Sequence, residues 1–377
     1  MVGNHLADIP AIKKSEVGIA LGCRSSDVVR DAADIILLND DLSSVIYGGE
    51  EGRLVFENLK KSIAYSLSSG LPEIAPFLFY VVFQVPLPLT AALVLCIDLV
   101  TDIVPTISFA YENPEFDLMA RRSRNMKTDK LINARLISFS YLQIGVMQTS
   151  AAFFTYFVVM NDYGFKPHSL FYLVLKQGIL PNTGDVYDHS LQNFGNTNAN
   201  GDKMVLDWSD SQNNQIDLRL FYHEHRGSDA WSQCRWSSTD AEHYWKSPHS
   251  GGKICYTSEA LRYAQCAYFI SIVCTQWAKL IVFRTRSESL SENLLKNTVA
   301  NSSLVISTVI AAMLCYVHPF NRWMGTRPLA APHFAVPSFP FFTMLLLYDE
   351  VRKALLRRGV ERETGRNKGW VVRNTYY

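Results

Sequence analysis

Ile63-Ala64-Tyr65-Ser66-Leu67-Ser68-Ser69-Gly70-Leu71-Pro72-Glu73-Ile74-Ala75-Pro76-Phe77-Leu78-Phe79-Tyr80-Val81-Val82-Phe83-Gln84-Val85, followed at once by Pro86-Leu87-Pro88 and a second apolar run, Leu89–Ala110, decides the architecture. Each run is about 20 residues, the length a helix needs to cross a hydrocarbon core of roughly 30 Å. The three residues between them leave room only for a tight turn. Four further runs follow: Leu136–Met160, Ala264–Phe283, Val299–Val317 and a shorter one, Phe334–Tyr348, which spans only if Pro337 and Pro340 lie at its outer edge. The expectation is a mainly α protein, a six-helix transmembrane bundle. Composition agrees, since 48% of the 377 residues are hydrophobic, too many for a disordered tail. Lys and Arg together number 36 against 35 Asp and Glu, so there is no global basic field to hold nucleic acid.

Basic residues orient the bundle. Arg121, Arg122, Arg124, Lys127, Lys130 and Arg135 follow the second run, Arg284, Arg286 and Lys296 the fourth, and a cluster from Arg352 to Arg373 the sixth. These connections mark the cytosolic side and put both termini there. The opposite side receives the Pro86–Pro88 turn, a segment of about 100 residues (161–263) and Pro319–His333. No cleavable signal peptide precedes the first run. The long outer segment is polar and turn-rich but holds Trp208, Trp231, Trp236 and Trp245, which favours a small folded cap over a linker. Of seven cysteines, Cys234 and Cys255 lie squarely outside and are candidates for a disulfide, whereas Cys96, Cys266, Cys274 and Cys315 lie in spans as small apolar packing residues.

Before the membrane, Val17–Leu21 and Ala33–Leu38 read as buried strands, with Ser25-Ser26-Asp27 placed to cap a helix between them. A helical run from Glu50 to Lys61 leads into the first span. Two parallel strands cannot cover both faces of a sheet, so this piece reads as the end of a larger α/β domain, and Met1 need not be the native start. The expected organisation is 1–48 as that domain fragment, 49–62 as a stalk helix, 63–350 as the membrane domain and 351–377 as a cytosolic tail.

Ionisable residues inside a span cost about 2.5–3.5 kcal/mol on insertion scales and mark interiors or ion paths. Tyr65, Ser69 and Glu73 follow at i, i+4, i+8, and Asp98, Thr101 and Asp102 at i, i+3, i+4, so each set lies on one helical face. Pro72 frees backbone carbonyl groups beside Glu73. Two helices joined by a tight turn would then present three carboxylates and several hydroxyls to each other, the oxygen-rich surroundings that hard cations require. Interhelical hydrogen bonds alone are the bland alternative. Gln276 and Lys279 lie three apart on the fourth span. A buried Lys279 needs Glu73, Asp98 or Asp102 as partner and would be a protein-borne cation in the site; otherwise it snorkels to the inner edge.

The runs Asn58–Tyr65, Leu71-Pro72-Glu73-Ile74, Leu95-Cys96-Ile97-Asp98-Leu99, Thr101-Asp102, Lys127-Thr128-Asp129-Lys130-Leu131, Gln276-Trp277-Ala278, Tyr348–Lys353 and the terminal Tyr376-Tyr377 resemble the α subunit of sodium/potassium-transporting P-type ATPases and their proton/potassium relatives. The resemblance runs from one end of the chain to the other. It implies that the six spans are the last six of a ten-span pump and that residues 1–48 end its phosphorylation domain. By position it implies cation contacts from Tyr65, Ser69, Glu73, Asp98, Thr101, Asp102 and Gln276, with sodium, potassium or protons as cargo. It implies docking of Tyr376 and Tyr377 near Arg286 and Lys60, and a β subunit on outer loop 161–263. Membrane lipids and small regulatory single-span subunits are further implied partners, nucleic acid is not, and the implied location is the plasma membrane. Magnesium and ATP would serve only the complete pump, with Asp8 as the magnesium-side acid.

The departures matter equally. The family's Gly-Asp-Gly-Val-Asn-Asp motif reads Gly3-Asn4-His5-Leu6-Ala7-Asp8 here, Gly70 stands where sodium pumps carry Asn, Lys279 replaces an Asp, and Ser307 aligns loosely with a Glu. Lys279 and Ser307 together would remove the acids of the third sodium site. The phosphorylated Asp-Lys-Thr-Gly-Thr segment and a nucleotide-binding domain do not occur in this sequence, so this chain by itself is not expected to catalyse ATP hydrolysis. Two expectations follow: the C-terminal cation-transport part of a sodium/potassium-type pump, or a catalytically inactive pump-derived protein acting as a regulatory or assembly partner.

Overall fold

In the computed structural model the described residues are 1–22, 25–39, 41, 43–115, 118–119, 130–163, 167–171, 207–209, 215–217, 258–286, 288 and 297–361. They divide into two compact units, one formed by Met1–Leu59 with Asn113–Thr128, the other by Lys60–Glu112 with Asp129–Tyr377.

The first unit holds a parallel sheet in the order β1 (Val2–Gly3), β2 (Ile19–Leu21), β3 (Ile35–Leu37), with Val2 opposite Ile19 and Ile19 opposite Ile35. Helices α1 (Ile9–Lys14) and α2 (Asp27–Ala32) connect the strands. Ile12, Ala20 and Val29 form its small core, while Ile35 and Ile36 stay exposed. The sequence suggests two strands; the third, β1, is only two residues long and lacks any alternation to reveal it. Ser26 adopts the extended N-cap conformation, but its side chain makes no cap bond; Ser25 Oγ instead donates to Leu21 O at 2.5 Å.

Among the described residues six helices are long and apolar enough to span a membrane: Ser43–Phe83, Ala91–Tyr111, Ala134–Asp162, Ala260–Arg284, Thr298–Tyr316 and Ala331–Arg357. The first runs unbroken from Ser43 although Pro72 and Pro76 lie inside it. The sixth is much longer than the expected Phe334–Tyr348. It starts at Ala331, so Pro337 and Pro340 sit within the helix and not at its edge. The fourth span is the central one, packed against the third, fifth and sixth. Two spans widen into π-helical turns, Ile97–Asp102 in the second and Ser138–Gly145 in the third.

The turn between the first two spans is anchored by the bundle. Tyr156 Oη donates to Pro86 O at 3.0 Å and Gln265 Nε2 to Leu87 O at 2.9 Å, replacing water for carbonyl groups that would otherwise be orphaned. Gln84 enters this turn with φ 52°, a left-handed conformation that costs a side chain with a Cβ about 1–2 kcal/mol. At Gly145, a Cβ would lie 3.2 Å from Leu71 Cβ and 3.3 Å from Ser68 O, so glycine lets the third span approach the Pro72 region of the first.

Within the outer segment, Asp207–Ser209 pairs antiparallel with Gln215–Asp217. Cys234 and Cys255, Tyr376 and Tyr377, and most of the basic loop after the second span lie outside the described residues.

Candidate cation site

Asp102 is the centre of the polar interior. It ends the π-helical stretch of the second span and is 6% exposed. Its Oδ1 accepts from Tyr65 Oη at 3.2 Å and from Gln276 Nε2 at 2.6 Å, and its Oδ2 accepts from Ser69 Oγ. Lys279, fully buried, brings Nζ to 3.5 Å from Asp102 Oδ2, donates to Ser69 Oγ and lies 3.9 Å from the Tyr65 ring centroid. Three helices thus converge on one carboxylate, and the ammonium is held by an anion, a hydroxyl and an aromatic face together. Of the two expectations for Lys279, burial against an acid is the one observed. The stem does not snorkel, and Asp102 is the partner.

The other expected residues arrange themselves around this centre unevenly. Thr101 is buried, accepts from Gln276 Nε2 at 3.2 Å and donates to Ile97 O at 2.9 Å. Its own carbonyl accepts from Ser307 Oγ at 3.0 Å, which joins the fifth span to the site. Glu73 is nearly buried, 9% exposed, and its Oε1 has no hydrogen-bond partner among the described residues; neither has Gln276 Oε1. Asp98 is exposed, although it lies close enough to Glu73 for their charges to interact. Glu73 interacts with both Asp98 and Asp102, yet among the described residues no group of three acidic, His or Cys side chains stands close enough to hold a metal ion. Lys279 Nζ lies 3.5 Å from Asp102 Oδ2 and is the counter-charge the structure places there.

Gln148 of the third span has no counterpart in the sequence expectation. It is fully buried, and neither its Oε1 nor its Nε2 has a partner among the described residues. A buried amide with no partner is rare enough to require a reason. The only signal in sequence is a lone Gln within Leu136–Met160.

At the end of the fourth span, Arg284 Nε lies 3.4 Å from Glu112 Oε2, and Asn297 Nδ2 donates to the same oxygen at 2.7 Å. Lys353 Nζ pairs with Asp349 at 2.6 Å and donates to Thr285 Oγ1 at 2.8 Å, while Arg352 contacts Asp349 at 2.9 Å and stacks on Phe139. Arg286 and Lys60, the expected docking residues, are both buried and both engaged. In the first unit, Asp8 Oδ2 accepts from the backbone N–H groups of His5 at 3.0 Å and Asn4 at 3.1 Å. The carboxylate thus caps a turn. Among the described residues no group of three acidic, His or Cys side chains that could hold a metal ion includes Asp8.

A family model described as "Cation transporting ATPase, C-terminus" matches residues 86–355. Across all 377 residues the chain is 40% identical to sodium/potassium-transporting ATPase subunit alpha-B of Artemia franciscana. It is 38% identical to subunit alpha-1 of Catostomus commersonii and 39% identical to subunit alpha-4 of Rattus norvegicus. The chain spans 31%, 30% and 30% of these relatives, respectively.

Proposed function

The chain belongs to the cation-transporting ATPase C-terminal family, and from that premise we propose that it is the cation-binding transmembrane part of a sodium/potassium-type pump, exchanging monovalent cations across the plasma membrane at the expense of ATP in the complete protein. The observation that carries this reading is Asp102, a buried carboxylate of the second span reached by donors from the first and fourth spans. Tyr65, Ser69, Glu73, Asp98, Thr101 and Gln276 complete the cation-binding region. The unpartnered oxygens of Glu73 and Gln276 supply acceptor capacity that no protein donor takes up among the described residues.

In this reading residues 1–48 end the phosphorylation domain, 49–62 form the stalk, and 351–377 lie in the cytosol. Loop 161–263 receives a β subunit, and Tyr376 and Tyr377 dock near Arg286 and Lys60. The comparisons lend no support to the alternative, an inactive regulatory partner. Lys279 acts as a tethered cation that takes the place of one transported ion, so each cycle moves less net charge.

The test uses the native polypeptide recovered with an antibody against Asn374–Tyr377 and reconstituted in vesicles. ATP-driven 22Na+ and 86Rb+ fluxes in opposite directions are expected, and Glu73→Gln should abolish them. Lys279→Asp should increase the charge moved per cycle; an unchanged value refutes the tethered-cation role, and absence of ATP-driven flux in the unsubstituted protein refutes the pump reading.

A further inference from the structure

Pro76 lies four residues after Pro72 inside the first span, so the Pro72 carbonyl receives no helical N–H. This carbonyl belongs to the residue that precedes Glu73. Tyr268 of the fourth span fills the gap: fully buried, it donates its phenolic proton to Pro72 O at 2.7 Å. Its ring packs edge-on against Phe153, at 5.4 Å between centroids, which fixes the phenol's direction. The phenol is also near enough to Glu73 for their charges to interact.

Resting on the cation-site reading above, we propose that Tyr268 is a positioning residue that sets cation affinity and selectivity by occupying the Pro72 carbonyl. A carbonyl freed by a proline beside a membrane carboxylate is a ready-made ligand for a hard monovalent cation. Tyr268 withholds that oxygen. It thereby removes one oxygen from those available beside Glu73 and holds the Pro72–Pro76 stretch of the first helix at one distance from the fourth span. Gln276 and Lys279 lie on the same helix, about two and about three turns further on, so one rigid element both closes this carbonyl and supplies two of the donors of Asp102. The sequence alone gives no sign of this role, because a tyrosine among Ala264–Phe283 reads as core packing.

The experiment is a double-mutant cycle in the full polypeptide, read by equilibrium binding of 22Na+ and 86Rb+ with thermal stability measured in parallel. Tyr268→Phe keeps the ring and removes only the hydroxyl. It should change the ratio of the two apparent affinities by about twofold to tenfold, the range a single hydrogen bond supports. Pro76→Ala restores an N–H for the Pro72 carbonyl. In that background Tyr268→Phe should leave the ratio unchanged, because the carbonyl no longer depends on the phenol. An unchanged ratio in folded Tyr268→Phe overturns the proposal, as does an equal effect with and without Pro76. If Tyr268→Phe does not fold, the comparison of Pro76→Ala with the unsubstituted protein decides: the carbonyl stays occupied in both, so the ratio should be unmoved, and a moved ratio overturns the proposal. Glu73→Gln separates the two readings: if it leaves both affinities intact, the cation-site reading fails; if it abolishes binding while Tyr268→Phe changes nothing, only the role of Tyr268 fails.

Discussion

Replacing Lys279 by Met removes a charge from the interior while keeping an unbranched stem of similar volume. Asp102 would keep Tyr65, Gln276 and Ser69 as donors, yet its charge would have no counter-charge within contact among the described residues. Removing one member of a buried ion pair costs about 3–5 kcal/mol, chiefly the penalty of the charge left behind. The site is equipped to recover part of this cost from solution, because Glu73, whose Oε1 is unpartnered among the described residues, lies close enough to Lys279 for their charges to interact. A sodium ion at 100 times its Kd would return about 2.7 kcal/mol. Lys279→Met should thus be strongly destabilised in N-methylglucamine chloride and largely rescued by sodium chloride at equal ionic strength. The unsubstituted protein should respond much less. Thermal unfolding in lipid nanodiscs measures both. A mutant melting at one temperature in both salts, or an unsubstituted protein with the larger sodium response, would refute the idea that the ammonium occupies a cation's place.

Gln84→Asn should raise the melting temperature by about 2–4 °C, because Asn tolerates the left-handed conformation observed at φ 52° and about 1 kcal/mol of strain is relieved. Asp349→Asn leaves Lys353 and Arg352 buried without their acid and should lower stability by about 3–5 kcal/mol; adding Lys353→Met to it should recover a measurable part, read by thermal unfolding. Asp8 provides a pH prediction. The N–H groups of His5 and Asn4 hold its carboxyl below the usual carboxylate range, so its contribution is complete above pH 3.8 and is lost as pH falls through the lower folded value. Hydrogen exchange at the Asn4 and His5 amides should therefore stay slow at pH 5 and gain speed relative to neighbouring amides only below that range, and Asp8→Asn should remove the transition.

Much of the architecture was legible because the forces behind it act over long windows. Apolar runs of about 20 residues identify six spans whatever their neighbours do, and the i, i+4 spacing of Tyr65 and Ser69 puts both on one helical face, from which both reach Asp102. The need of a buried lysine for an acid likewise follows from desolvation alone, although three acids compete for the role in sequence. Features set by single residues were not legible. A π turn has no compositional signature, so the one over Ile97–Asp102 could not be read from the sequence, nor could the exposure of Asp98 beside the burial of Asp102. Pro337 and Pro340 read as a boundary, yet the sixth helix passes through both. The Tyr268–Pro72 bond needs knowledge of which tyrosine stands opposite Pro76, a property of packing rather than of either segment.

The charge in the membrane gives a last constraint on what the site can carry. Glu73, Asp98 and Asp102 contribute three carboxylates, and Lys279 contributes one ammonium that is fully buried and cannot leave for water. With every acid ionised, two negative charges remain to be neutralised, by two monovalent cations, by two protons, or by one of each. Without the lysine the same acids would leave three. Occupancy beyond two would place an uncompensated positive charge in a low-dielectric interior, which is far costlier than leaving a ligand position empty. On the reading proposed above, the limit follows from the charge count of these four side chains, of which only Asp98 is exposed, and not from the fit of any particular ion. It therefore holds for sodium, potassium and protons alike, and Lys279 should set how many ions move while the oxygens around Glu73 set which ones.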